Sequence, residues 1–173
     1  MKYNLLYKEA IKNIESGKTE KILEGIKVLR ESGVPETVNN IADLLLETDN
    51  PEIKKNCCSF LNDLKDQKAV PHLVSIIKNK NYESIKQNLV TACWQCNLEF
   101  KDYINEFTDL AINSDYITAY EALTVIENNI TSISEEESKS SINKIKETIL
   151  KQKDDKTAML KELILIIENI PIN

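Results

Sequence analysis

An all-α solenoid of about five helical hairpins is the fold this sequence predicts, on three observations. The first is a repeat. Ile53, Cys57, Phe60, Leu61 and Leu64 fall at i, i+4, i+7, i+8 and i+11, and Ile85, Leu89, Ala92, Cys93 and Cys96 fall at the same intervals 32 residues later. Both sets are one-sided apolar stripes at the helical period of about 3.6 residues. The second is the short apolar stretch Ala69–Ile77 between them, which reads as a further helix and makes the recurring unit a helical hairpin. The third is punctuation. The 173 residues include only 3 Gly and 4 Pro, and most of these sit where helices should start or stop, which disfavours any sheet-rich fold.

In chain order, Leu5, Leu6, Ala10, Ile11 and Ile14 give a first amphipathic helix that ends at Ser16-Gly17, with Thr19 placed to cap the next. Ile22, Ile26 and Leu29 stripe the second helix, where Gly25 suggests a close helix contact and Gly33 a stop. Pro35 opens the third, carrying Val34, Val38, Ile41, Ala42 and Leu45. Asp49-Asn50-Pro51-Glu52 then supplies a capping Asn, a first-turn Pro and an acid at the positive helix end, the sharpest helix start in the chain.

The fifth helix begins near Pro71, and the sixth spans Ile85 to Cys96. The seventh runs through Phe100, Tyr103, Ile104, Phe107, Leu110 and Ala111, and the eighth carries Ala119, Leu123, Ile126 and Ile130. After a break at Thr131–Ser134, Ser134-Glu-Glu-Glu137 reads as a capping box opening a polar helix striped by Ile142, Ile145 and Ile149. Asp154-Asp155 interrupts, and a last helix runs from about Thr157 to Ile170 before Pro171.

With 42% apolar and 29% charged residues, the chain is too apolar for disorder. No apolar run approaches the roughly 18 to 20 residues of a membrane span, and the first residues lack the apolar core of a signal peptide, so no membrane contact and a cytoplasmic location are expected. Four cysteines, two of them adjacent, do not make a disulfide framework in a chain of this size. The net charge of -6 repels phosphate backbones, and Arg30 is the sole arginine, which argues against nucleic acid as a partner.

The strings Pro51-Glu-Ile-Lys-Lys-Asn-Cys-Cys-Ser-Phe-Leu-Asn-Asp-Leu64 and Lys68-Ala-Val-Pro-His-Leu-Val-Ser-Ile-Ile-Lys78 resemble the second and first helices of HEAT repeats of the short bacterial kind. The resemblance is good over residues 34 to 97, fair over 18 to 33 and 98 to 130, and poor beyond 134. It implies a right-handed HEAT-like or ARM-like superhelix, read here as a single domain over 1–173 with its clearest repeats in 18–130 and an atypical capping hairpin in 134–170. It also implies a concave face lined by second helices, where protein partners bind, and it brings no catalytic residue and no cofactor with it.

Several motifs invite chemistry and are better explained by structure. Ser16-Gly-Lys-Thr19 resembles the end of a phosphate-binding loop, but position 12 is Lys where that loop needs glycine, and a helix stop explains it. Cys93-Trp-Gln-Cys96 has the spacing of redox and zinc motifs, yet it ends a helix, where the dipole does not lower a thiol pKa. A zinc site there would have to recruit Cys57, Cys58 or His72 from neighbouring helices. His72, the one histidine, has no nucleophile motif beside it and reads as a surface or capping residue. Two HEAT-like enzyme classes are the alternatives to a binding module. Alkylpurine DNA glycosylases resemble a basic, aromatic-lined groove that this acidic chain lacks, and no local motif marks a bilin lyase.

The repeat register separates core from surface. If Ile53, Cys57, Phe60 and Leu64 point inward, then Lys55, Ser59 and Asn62 point outward, and the repeat shift places Gln87, Thr91 and Trp94 on the equivalent row. Extending the row adds Glu24, Val28 and Glu31 on the second helix and Glu121, Val125 and Asn128 on the eighth. In a HEAT-like solenoid this row would face the concavity, and Trp94, the one tryptophan, is its candidate anchor for a protein partner unless its ring leans sideways onto an adjacent helix. Finally, Leu163-Ile-Leu-Ile-Ile167 is apolar all round, so either the preceding helix covers it or the chain self-associates there.

Overall fold

The computed structural model describes residues 2–32, 34–151 and 155–173. The described residues form ten α-helices: α1 (Lys2–Ile14), α2 (Thr19–Ser32), α3 (Thr37–Glu47), α4 (Pro51–Asn62), α5 (Val70–Lys78), α6 (Lys86–Gln95), α7 (Ile104–Asn113), α8 (Tyr116–Asn129), α9 (Glu135–Lys151) and α10 (Thr157–Asn169). The fold is all-α and solenoidal in class, as the stripes predict. It divides into two compact units, Met1–Cys96 and Asn97–Asn173.

In the first unit the hairpins are α1 with α2, α3 with α4, and α5 with α6. The second helices pack side by side, α2 on α4 and α4 on α6, and the first helices α3 and α5 form the layer behind them. Between the layers lie Leu29, Ile41, Cys57, Leu61, Leu73 and Leu89, all without exposed surface. Burying such a side chain is worth about 1.5–3 kcal/mol, which is what holds the hairpins in register.

Local chemistry sets the helix ends. The Asn50 side chain accepts from the backbone N–H of Glu52 at 2.9 Å and of Ile53 at 3.3 Å, and Pro51 fills the first turn. The Asn50 amide also donates to Thr19 Oγ1 at 3.3 Å, so the Thr19 hydroxyl expected to cap α2 is turned to a neighbouring repeat instead. Gly17 sits at φ +68°, the left-handed turn that ends α1. A Cβ on Gly25 would stand 2.8 Å from the carbonyl oxygen of Ala10, which is the close helix contact its position suggests. Gly33 and Asp154 lie outside the described residues.

Three stripes differ from expectation. Leu5 and Leu6 are 70% and 44% exposed, because the close approach of α1 to α2 falls at Ala10 and Gly25, a turn or more further on. The sixth helix starts at Lys86, after a 3-10 segment over Lys80–Ile85 that is kinked at Tyr82. The seventh starts at Ile104, and Phe100, ahead of a 3-10 turn, meets Phe107 edge-on at 5.4 Å.

In the second unit α7 pairs with α8 and α9 with α10, while α7 also packs on α9 and α8 on α10. The capping box forms: Glu137 N–H donates to Ser134 Oγ at 3.2 Å, and Ser134 N–H and Oγ–H donate to Glu137 Oε2 at 2.9 and 2.6 Å. Those bonds hold the Glu137 carboxyl below its ordinary pKa. Ile133 bridges in parallel to Ile172, its N–H donating to the Pro171 carbonyl and its carbonyl accepting from Asn173, each at 3.0 Å. In α10, Leu163 and Ile167 are fully buried while Leu165 is 52% exposed, so the neighbouring helices cover only part of this apolar helix.

Candidate functional site

The second helices of the first unit carry a polar outer row. With Ile53, Cys57, Phe60 and Leu61 buried on the inner side of α4, the outer positions Lys55, Ser59 and Asn62 are exposed or half-buried at i, i+4 and i+7. On α6, Gln87 is exposed and Thr91 and Trp94 are half-buried, with Leu89, Ala92 and Cys93 behind them in the core.

Hydrogen bonds tie this row together from repeat to repeat. Arg30 of α2 donates from Nη1 to Asp63 Oδ2 at 2.8 Å and from Nη2 to Ser59 Oγ at 3.1 Å. The Asn62 amide donates to Gln95 Oε1, and Asn88 Nδ2 donates to Cys58 Sγ at 3.6 Å. Beside the arginine, a depression of about 490 Å³ opens between the C-terminal ends of α2 and α4, lined by Leu29, Phe60 and Leu64 and flanked by Arg30, Asp63, Lys65 and Asp66. Layered second helices joined by polar contacts one repeat apart are the geometry of a helical repeat protein.

Residues 9–94 match the family model of HEAT repeats. The chain is a HEAT-like repeat protein. No curated protein and no solved structure matches it. The match runs from Glu9, in the second half of α1, through α2 to α5 and to the penultimate residue of α6. HEAT repeats generally mediate protein–protein interaction.

Of the sequence-predicted row, the first unit brings Lys55, Ser59, Asn62, Gln87, Thr91 and Trp94 onto the outer side of two packed second helices. Glu24 and Glu31 are exposed and Val28 is half-buried on α2. In the second unit, Glu121 is half-buried and Asn128 exposed on α8. Val125 is a correction: it is fully buried and offers no surface to a partner. Thr118, Ala122, Val125 and Asn129, at i, i+4, i+7 and i+11, are all buried, so the core arc of α8 is wider than the stripe of Ala119, Leu123, Ile126 and Ile130 alone.

The surroundings of the thiols decide what they can do. All four thiols are free, and Cys57, Cys93 and Cys96 are buried. Burial, then the neighbouring Cys58, pushes the Cys57 thiol up to about 12, and burial pushes Cys93 well above its ordinary value. Cys93 Sγ–H donates to the Leu89 carbonyl at 3.3 Å and Cys96 Sγ–H to the Cys93 carbonyl at 3.4 Å. A thiol held neutral is a poor nucleophile and a poor metal ligand. Among the described residues no group of three or more His, Cys, Asp and Glu side chains could hold a metal ion, and no helix is long and apolar enough to cross a membrane. At Ser16–Lys18, the Lys18 N–H donates to Ser16 Oγ at 3.3 Å within the turn that Gly17 makes.

One feature escaped the sequence reading. Tyr116 and Tyr120 stand 47% and 55% exposed on the outer side of α8, facing a groove shared with α10. Their signal was an i, i+4, i+7 spacing with Leu123.

Proposed function

We propose that this HEAT-like protein is a non-catalytic scaffold or adaptor that binds a protein partner on the outer side of its second helices, with Trp94 as the anchor of the first unit. The observation that carries the reading is Trp94 itself, half-buried on α6 in a row with Thr91 and Gln87 and with the polar side chains of α4 alongside. A ring with an apolar body and a polar N–H suits a surface that a partner must dry, and Trp truncation at an interface often costs about 2 kcal/mol or more. Lys55 and Gln87, both exposed, supply adaptable polar contacts around it. The acidic balance of the chain and its single arginine favour protein over nucleic acid.

The test has two steps. Trp emission of the native chain should be partly accessible to a soluble quencher, as a half-buried ring requires. Trp94→Ala should keep the circular dichroism of the parent and lose capture of the partner that the parent retains from an extract of the native source. Equal capture by both chains would leave Trp94 out of the interface.

A further inference from the structure

The helix α8 is apolar on two sides. Its inner side buries Ala119, Ala122, Val125 and Ile126, and its outer side carries Tyr116, Tyr120 and Glu127, with the buried Leu123 at the floor between them. Across from this row α10 presents Met159, Glu162 and Ile166, with Leu165 52% exposed beside them. The two rows enclose adjoining depressions of about 320 and 510 Å³ that share Glu127, Glu162 and Ile166. From Tyr116 to Glu127 the α8 wall runs about 16 Å, roughly three helical turns.

The walls mix apolar and aromatic side chains with polar ones, Asn128, Thr131 and Asn169 among them, and the charges in them have one sign. No Lys or Arg lines either depression, and neither Glu127 nor Glu162 makes a hydrogen bond or ion pair among the described residues. Two exposed tyrosines beside an exposed leucine form a surface whose apolar part gains from being covered, while their hydroxyls can stay wet.

We propose that the α8–α10 groove docks a basic amphipathic helix of a protein partner. Its apolar face covers Tyr116, Tyr120 and Leu165, and its Lys or Arg side chains meet Glu127 and Glu162. A second copy of this chain, at net charge -6, brings the wrong sign to the groove. An anionic lipid surface and a phosphate backbone do so too. This site lies in the second unit and does not depend on Trp94.

The probe is a pair of fluorophore-labelled synthetic helices about five turns long. They share one Leu/Phe face, and the polar face is lysine in one and glutamate in the other. Anisotropy with the full chain should show saturable binding of the lysine helix that weakens as salt rises, and no binding of the glutamate helix. Glu127→Lys with Glu162→Lys should weaken binding by about 10-fold or more, and Tyr120→Ser with Leu165→Ser should do likewise. Glu9→Lys with Glu15→Lys, the same charge change at exposed positions of the first unit, should stay within about 2-fold of the parent. Should the double Lys variant not fold, Glu127→Gln with Glu162→Gln carries the same comparison. Equal loss in groove and control variants would reduce the effect to net charge and overturn the proposal, as would equal binding of the glutamate helix. Sedimentation of the free chain as a dimer that Leu165→Ser dissolves would assign the groove to self-association instead. Trp94→Ala should bind the lysine helix like the parent, so failure at one surface is read separately from failure at the other.

Discussion

Arg30 on α2 reaches Asp63, 33 residues further on, at 2.8 Å, and Asn62 reaches Gln95 over the same interval of 33. Asn50 to Thr19 spans 31 residues and Thr131 to Glu99 spans 32. Each contact joins equivalent places in neighbouring hairpins, so the repeat visible in the apolar stripes returns in the polar ones. Burial supplies the stability of such a stack, and contacts of this kind fix which turn of one helix sits beside which turn of the next.

That division of labour predicts a small energetic effect at Arg30. Its side chain is 38% exposed and that of Asp63 51%, so water and salt screen the pair. Arg30→Ala should lower unfolding free energy by about 1 kcal/mol or less in a urea titration, and the difference should shrink at high salt. A loss several times larger would mean that the bridge holds the α2–α4 packing rather than trimming its surface.

Gly25 should be far less tolerant. In a helix interior Gly→Ala ordinarily gains about 1 kcal/mol. Here the new Cβ would meet the Ala10 carbonyl oxygen at 2.8 Å, Ile14 Cγ1 at 3.1 Å and Asn13 Cβ at 3.2 Å. The first of these is backbone and cannot swing aside, so α1 must be pushed off α2. Gly25→Ala should therefore destabilise by about 1–3 kcal/mol. Gly17→Ala, with nothing within 4 Å but φ at +68°, should cost only conformational strain of roughly 1–2 kcal/mol. Thermal melts of the two variants separate a steric cost from a dihedral one.

The thiols predict a pH window. Folded Cys57 titrates at about 12 against an ordinary 9.0, because burial penalises the thiolate. Between these values the unfolded chain loses a proton that the folded chain keeps. Stability from this group is thus complete below about pH 9 and falls as pH rises toward 12. The urea midpoint of the parent should drop over that range more steeply than that of Cys57→Ala. Below pH 9, a thiol reagent should modify half-buried Cys58 first and reach Cys57, Cys93 and Cys96 only on unfolding. Rapid modification of all four in the native chain would contradict their burial.

How much of this was legible depended on range in the sequence. Signals contained in one helix are readable: Asn50-Pro51, the Ser134–Glu137 box and the buried positions Ile53, Cys57, Phe60 and Leu61 lie where their spacing puts them, whereas Leu64 falls past the end of α4 and is half-buried and Ile85 precedes α6 in a 3-10 segment. The Ile133–Ile172 bridge was invisible, because a single pair of backbone hydrogen bonds leaves no periodic trace. A register carried over from α4 puts Val125 outside, but α8 buries a wider arc and Val125 with it. The same width hid the groove. Tyr116 and Tyr120 fall beside the stripe of Ala119, Leu123 and Ile126, and periodicity alone does not set them apart from it. Leu5 and Leu6 show the converse limit, for periodicity marks an apolar face without saying whether a neighbour covers it.

Asn129 offers the sharpest test of the non-local polar contacts. It is 5% exposed at the end of α8, its amide donates to the Leu98 carbonyl at 3.1 Å, and its own carbonyl accepts from Phe100 N–H at 2.8 Å. These bonds seat the segment ahead of α7 against the end of α8. Asn129→Ala keeps the backbone bond and removes the buried donor, which should cost about 1–3 kcal/mol. Asn129→Asp should cost more at neutral pH, since a carboxylate has no proton to donate and would face the Leu98 carbonyl with little access to water. Protonation restores a donor, so the Asp variant alone should gain stability relative to the parent as pH falls through its carboxyl titration. Denaturation of the parent and both variants at pH 7 and pH 5 reads this directly. If Asp and Ala behave alike at both values, the side chain turns out to solvent and the Leu98 contact does not hold the junction.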